Sequence, residues 1–396
     1  PTGGNSPPVS VRDFVGDFVR DSSDGVFCVK APDTKFIPAT VVITGGAGFI
    51  GGTLVRWLLA ANPDVRVVTY DALTYAGNLD SLAGVFARHG AHGDGRHFFV
   101  KGDICDAEAF SAVLDGSGTE TGTGRAIPRA DAVINLAAET HVDRSIMGPA
   151  AFITANVVGT QVVLECVRRT LDAVPRSFRL LHVGTDEVYG DLEPTDAPWS
   201  EDAPLKPSSP YAASKASADL LIGAWHRTFG TPVLLTRCGN NYGPYQFPEK
   251  LIPLVITRAV AGSSIPVYGD GAQVRDWIHA EDHARALWAV LTCGTLGRTY
   301  HVSAGEQYTN REVITSILRQ VGQPDSLMTR VTDRLGHDRR YALDATRLTT
   351  ELGWRAEHSW KQGIAETVRW YQDNPEWWGR VVNEAYRAAE ALYLTG

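Results

Sequence analysis

Short apolar runs recur through the first half of the chain, each followed by a stretch with helical spacing. Thr40–Thr44 (TVVIT) is β-branched along its whole length and predicts a buried strand. Phe49–Ala61 sets Leu54, Leu58 and Leu59 on one side and predicts a helix. Val65–Tyr70, Phe98–Val100, Ala132–Leu136 and Leu180–Val183 predict further strands. Helices are expected between them at Ala107–Leu114 and Asn156–Thr170. Strands that are apolar on both faces and alternate with helices predict a parallel, doubly wound α/β sheet.

The pattern changes at both ends. Residues 1–38 read as an N-terminal extension: ten Pro/Gly/Ser-rich positions, a short helix at Val11–Arg20 and a strand at Val26–Lys30. The glycine-rich patches His89–Arg96 and Asp115–Arg125 read as surface loops. Beyond about residue 190 the alternation weakens, and Pro and aromatic residues thicken, as in Pro194–Pro210 and Tyr242–Pro253. The expected division is a first domain over 39–190, also taking in about 208–240 and 276–304. A smaller, discontinuous α/β lobe takes 191–207, 241–275 and 305–396.

Composition narrows the class. The chain has 396 residues, 44% of them hydrophobic, enough for a large α/β unit with a second lobe. Net charge is −8, and no basic run suggests a nucleic-acid or membrane partner. Cys28, Cys105, Cys166, Cys238 and Cys293 are scattered without a CxxC pair, so reduced thiols and a cytoplasmic location are expected, with no metal. No apolar stretch is read as membrane-spanning, and no basic region precedes an apolar run as in a signal peptide. The chain begins at Pro1 without Met, as a processed chain would.

Gly45-Gly46-Ala47-Gly48-Phe49-Ile50-Gly51 falls between the first strand and its helix. Glycines there let the backbone turn tightly and let a pyrophosphate reach the helix N-terminus, whose free N–H groups favour anions. Asp71 ends the second strand, where a carboxylate would accept hydrogen bonds from the adenosine ribose. No Arg follows directly to neutralise a 2′-phosphate, so NAD is favoured over NADP. Asp103 and Ile104 would flank the adenine, and Leu136, Ala137 and Ala138 would pass beneath the cofactor.

Tyr211 and Lys215 are four apart, on one face of a helix whose start suits Pro210. An ammonium near a phenol stabilises phenolate, which makes Tyr211 a candidate base. Thr185-Asp186-Glu187 follows the strand Leu180–Val183, at the end of the sheet where ligands bind. Two carboxyls in different environments there are acid/base candidates.

With these motifs in hand, the chain resembles the dTDP-glucose 4,6-dehydratases from about Val41 to Trp378. TGGAGFIG, YDALTYAGNLDSL, NLAAETHVDRSI, TDEVYGDL, YAASK, NNYGPYQFPEKLIP, QVRDWIHAEDHARAL and GHDRRYALDA carry the resemblance. It implies a Rossmann domain with a substrate-binding lobe, a homodimer pairing through two helices per subunit, and tightly held NAD regenerated each turnover. Those helices would be Asn156–Thr170 and the one carrying Tyr211 and Lys215. It implies that Tyr211 takes the proton from the sugar 4-hydroxyl, that Thr185 hydrogen-bonds the same oxygen, and that Lys215 holds the cofactor ribose. Glu187 would remove the C5 proton while Asp186 protonates the departing C6 hydroxyl, giving a 4-keto-6-deoxy sugar nucleotide. Phe49, Ile50, Leu73, Thr74, Gly77 and Asn241 join the cofactor set. Thr140, Asn240, Lys250, Leu251 and Arg275 are implied for sugar and phosphates; Pro266, Tyr268, Asn310, Asp333, Arg334 and His337 are implied for the nucleotide.

Three positions depart from the family pattern: Gly184 for Ser, Ala155 for Thr and Leu335 for Pro. UDP-sugar 4,6-dehydratases, 4-epimerases and decarboxylases are the neighbouring alternatives. The epimerases and decarboxylases need no Asp-Glu pair. A non-catalytic NAD-binding regulator is the alternative of another class, against which the full set Thr185, Asp186, Glu187, Tyr211 and Lys215 argues.

Overall fold

The computed structural model describes residues 35–333 and 336–382. The expected helix Val11–Arg20, the strand Val26–Lys30, Cys28, Arg334 and Leu335 lie outside the described residues. The strands are β1 Thr40–Thr44, β2 Arg66–Asp71, β3 His97–Lys101, β4 Ala132–Asn135, β5 Arg179–Thr185, β6 Val233–Cys238, β7 Asn240–Tyr242, β8 Ile265–Tyr268, β9 Val274–His279, β10 Thr299–Val302, β11 Glu306–Thr309 and β12 Met328–Val331. The helices are α1 Phe49–Ala61, α2 Ala83–His89, α3 Ala107–Asp115, α4 Val142–Met147, α5 Pro149–Phe152, α6 Gly159–Ala173, α7 Pro210–Phe229, α8 Leu251–Val260, α9 Ala280–Cys293, α10 Asn310–Val321, α11 Thr346–Leu352, α12 Trp360–Asp373 and α13 Pro375–Val381.

Seven strands form one parallel sheet in the order β10-β6-β5-β4-β1-β2-β3. The chain starts in the middle at β1, runs outward through β2 and β3, then returns to β4 and runs the other way. The reversal between β1 and β4 opens a crevice at the carboxyl ends of the strands. Helices cover both faces, as a parallel sheet requires. Val41, Ile43, Leu54, Leu58, Leu287 and Leu291 fill one side; Val42, Val68, Phe110, Val163, Leu164 and Ile222 fill the other.

The second lobe has its own core, with Ile256, Ile265, Ile317, Trp360 and Tyr371. It is built on a three-stranded sheet, β11-β9-β7, and the pair β12-β8. Strand β9 leads straight into α9, which packs back on the large sheet. Residues 276–279 therefore belong to the small sheet, while the helix after them belongs to the large one.

Two expectations change. The helix read at Asn156–Thr170 is a continuous run, Pro149–Ala173, with a π-helical turn at Ile153–Val158. By length and composition that 25-residue run matches a membrane span, which the sequence reading had not recognised. Its inner side packs on the sheet through Val163, Leu164 and Val167, as a core helix does. Cys105, Cys166 and Cys238 carry free thiols. The loop over Asp115–Arg125 is more ordered than its glycines suggest: Thr119 bridges Ala126, and buried Glu120 pairs with Arg125 at 3.0 Å.

Candidate active site

A cleft of about 350 Å³ lies at the carboxyl ends of β1, β2, β4, β5 and β6, lined by both lobes. Its first half is made of backbone. Gly45 sits at φ +67°, and a Cβ there would meet Ala137 N at 2.8 Å. A Cβ on Gly51 would come within 2.2 Å of Gly45 O. Helix α1 starts at Gly48 with no side-chain cap, so its N–H groups face the cleft unclaimed by a capping residue. Buried Asp71 accepts from Ala47 N at 2.9 Å and Leu73 N at 2.8 Å, which ties the carboxylate to the glycine turn. Leu73 adopts φ +55°, a left-handed conformation that this bracket imposes. These features fit a dinucleotide: a collar too tight for side chains, an open helix end and a carboxylate at the second strand.

The second half is made of buried side chains. Tyr211 and Lys215 lie on the inner face of α7, 7% and 4% exposed. Burial pushes the Tyr211 hydroxyl well above its ordinary value; nearby Glu187 adds to this, and a hydrogen bond from Thr185 opposes it. Lys215 Nζ donates to Val183 O at 2.8 Å, and burial lowers its pKa against the opposing charge of Asp219. Asp186 is 3% exposed, and one carboxyl oxygen has no hydrogen-bond partner. Burial, then Glu187 and Asp276, hold its pKa well above the usual carboxylate range, which favours the protonated acid. Glu187 is half-buried, facing the same cleft. The two adjacent carboxyls thus occupy different environments, the condition for separate acid and base roles.

The structure gathers most expected cofactor positions in this cleft: Gly45, Gly48, Phe49, Ile50, Gly51, Asp71, Thr74, Gly77, Asp103, Ile104, Leu136, Ala137, Ala138 and Asn241. Leu73 stands just behind the lining, its side chain against Gly77. Thr140, Asn240 and Lys250 also line the cleft, and Lys250 Nζ donates to Thr140 O at 3.3 Å. Asn241 is fixed from behind by His283 Nδ1 at 2.9 Å.

The nucleotide set gathers elsewhere. Tyr268 stacks edge-on near His337, His337 pairs with Asp333 at 2.6 Å, and Gln273 donates to Asp333 while its backbone O accepts from Asn310 N. Pro266 and Tyr268 lie on β8, so this group forms one edge of the second lobe, outside the lining of the deep cleft. Leu251 begins α8 directly after Lys250. Arg275, expected to clamp phosphate, is buried and turned into the protein. It donates to Val274 O and Asp338 O and lies over the Tyr341 ring at 4.4 Å.

Sequence reasoning missed the groups that hold this corner from within. Asn156, in the π-helical turn, donates to Glu139 O and Ser214 Oγ and accepts from Glu139 N. Ser214 in turn donates to Tyr211 O at 2.7 Å. The available signal was a polar residue in an otherwise apolar helix; π turns cluster at functional sites. Gly184 also gains a reason: a Cβ there would fall 2.8 Å from Thr236 O. His279, His358 and Glu366 form a cluster that could hold a metal ion, but His279 Nδ1 accepts from Glu281 N and His358 pairs with Asp282 at 3.0 Å.

Fold and site together define a dinucleotide-dependent oxidoreductase-type fold with an added acid/base pair. A family model described as GDP-mannose 4,6 dehydratase matches residues 42–367. A dTDP-glucose 4,6-dehydratase from Xanthomonas campestris pv. campestris is 50% identical over 362 residues, 88% of this chain and 97% of that protein. One from Escherichia coli K12 is 46% identical over 367 residues, again 88% and 97%. A solved dTDP-glucose 4,6-dehydratase from Streptomyces venezuelae, with NAD and thymidine diphosphate bound, superposes with TM-score 0.78 at 46% identity, covering 86% of this chain and 99% of that one. This chain belongs to the dTDP-glucose 4,6-dehydratase family.

Proposed function

We propose that this protein converts dTDP-glucose to dTDP-4-keto-6-deoxyglucose and water with bound NAD. The observation that carries the reading is the placement of buried Asp186 and half-buried Glu187 beside Tyr211, Thr185 and Lys215. When bound, NAD would supply the hydride acceptor for C4 and the hydride donor for C6, held by the Gly45–Gly51 turn, Asp71 and Lys215. Tyr211 takes the 4-hydroxyl proton, and Thr185, whose hydroxyl donates to Asp186 Oδ1 at 3.2 Å, hydrogen-bonds the same sugar oxygen. Lys215 holds the cofactor ribose and adds positive charge to the corner.

The 4-ketone acidifies the C5 hydrogen. Glu187 removes that proton, and Asp186 donates its own to the C6 hydroxyl as it leaves as water. Asp186 suits this role because burial keeps it protonated where an exposed aspartate is not. Glu187 then returns the proton to C5. Separate incubations with dTDP-glucose and UDP-glucose test the reading: a 4-keto-6-deoxy product from the thymidine sugar is expected, and product from neither overturns it. The Tyr268/His337/Asp333 edge takes the nucleotide in this account.

The enzyme acts as a soluble cytoplasmic homodimer in this reading. Exposed Ile153, Val158 and Leu220 lie on the outer side of the π turn and α7 and supply the apolar face. Leu220→Glu should shift the dimer toward monomer in light scattering; an unchanged mass would remove this face from the interface.

A further inference from the structure

The corner holds a buried carboxylate that the mechanism above does not use. Asp219 is fully enclosed at 4% exposure, one helical turn beyond Lys215 on the face of α7 that also carries Tyr211. Arg237 of β6 donates to its Oδ2 at 2.8 Å and is itself held by Tyr189 OH and Glu201 O. The other oxygen, Oδ1, makes no hydrogen bond and lies 3.9 Å from His182 Nε2 on β5. It lies 3.1 Å from where a Gly184 Cβ would sit, beside Val183, whose carbonyl accepts from Lys215 Nζ. A surface ion pair needs none of this enclosure.

We propose that Asp219 is a positioning residue for Lys215: a buried countercharge that keeps the lysine an ammonium aimed at the cleft, with Arg237 fixing the carboxylate from behind. This rests on the reading of Lys215 as the group that holds the cofactor ribose.

The surroundings supply no substitute for that charge. On β5, His182 accepts from Asn135 Nδ2 at its Nδ1 and is held neutral by burial and by Lys215 itself. On β6, Arg237 is positive, and burial pushes the Cys238 thiol up to about 12, so it stays neutral in any ordinary assay. Burial raises the pKa of Tyr211 and of Asp186, which disfavours a standing negative charge on either. Asp219 is therefore the group that offsets the cost of burying an ammonium here, a cost that otherwise drives lysines neutral.

The test is the pH dependence of the holoenzyme. In Asp219→Asn, the alkaline limb of the first half-reaction, read as transient NADH absorbance, moves to lower pH by at least about one unit, a roughly tenfold loss above it. NAD retained after gel filtration falls over the same pH interval, while near pH 6 the variant stays close to wild type. Arg237→Gln breaks the same ion pair but keeps the carboxylate, and its alkaline limb does not move down. An unshifted Asp219→Asn overturns the proposal. So does an acid shift in Arg237→Gln, which reports a merely structural pair and can be read even if Asp219→Asn does not fold. Lys215→Met separates the underlying reading: if it keeps NAD and turnover, the role of Lys215 fails; if it loses both while Asp219→Asn is unshifted, only the role of Asp219 fails.

Discussion

The two halves of the cleft are built from opposite materials. At the β1 end the walls are backbone: glycines without side chains, an uncapped helix start, and one carboxylate locked to two N–H groups. At the β5 end they are buried ionisable groups: Asp186 just after β5, and Tyr211, Lys215 and Asp219 on one face of α7. The first half can bind a pyrophosphate without changing protonation. The second can move protons because burial has pushed each group away from its ordinary behaviour. Binding tolerates charge screening and solvent; proton transfer in this corner depends on excluding them.

That contrast sorts the expected effects of mutation. Tyr211→Phe removes the base for the first oxidation, and turnover should fall by about 10²–10⁴-fold with no transient NADH absorbance. Retained NADH formation would break the assignment. Glu187→Gln should keep NAD and the first oxidation but lose dehydration by at least about a hundredfold, so NADH accumulates instead of cycling. On the backbone side, Gly51→Ala forces a methyl into Gly45 O, and we expect weaker NAD retention and a stability loss of ~1–3 kcal/mol by thermal unfolding. There the proton chemistry of any enzyme still loaded should be normal.

Asp186→Asn tests the electrostatic half through stability. Its folded pKa is raised, so the folded chain keeps a proton that the unfolded chain releases in the usual carboxylate range. Stability is therefore lost as pH rises from that range toward the raised folded value. The Asn variant escapes that loss: its melting temperature should exceed that of wild type at pH 8, and the gap should narrow toward pH 4, although activity falls. A variant less stable than wild type at both pH values would contradict a protonated Asp186. The smallest effect belongs far from either half. Arg380 and Asp80 pair at 2.9 Å but are more than half exposed, so Arg380→Ala should change stability by no more than ~1 kcal/mol.

The same contrast explains what the sequence made legible. The glycine turn, Asp71 and the strand–helix alternation were readable because backbone geometry demands particular residue types at particular spacings. Tyr211 and Lys215 were readable as one helix face. The raised pKa of Asp186 was not, since it comes from burial by both lobes, then Glu187 beside it and Asp276 on β9. Asn156 and Asp219 were missed because their partners lie on other elements. Arg275 was readable as a guanidinium suited to phosphate, but its packing under Tyr341 and its bonds to two backbone carbonyls were not.

The central claim is that the Asp186/Glu187 pair turns an oxidation into a dehydration with no net change in NAD. The most direct test is to supply dTDP-glucose deuterated at C4 and locate the label by mass spectrometry and NMR. The account predicts deuterium at C6 of a 4-keto-6-deoxy product, with NADH absent at the end. Deuterium washed into solvent, or found back at C4 of an epimer with the C6 hydroxyl intact, would contradict it.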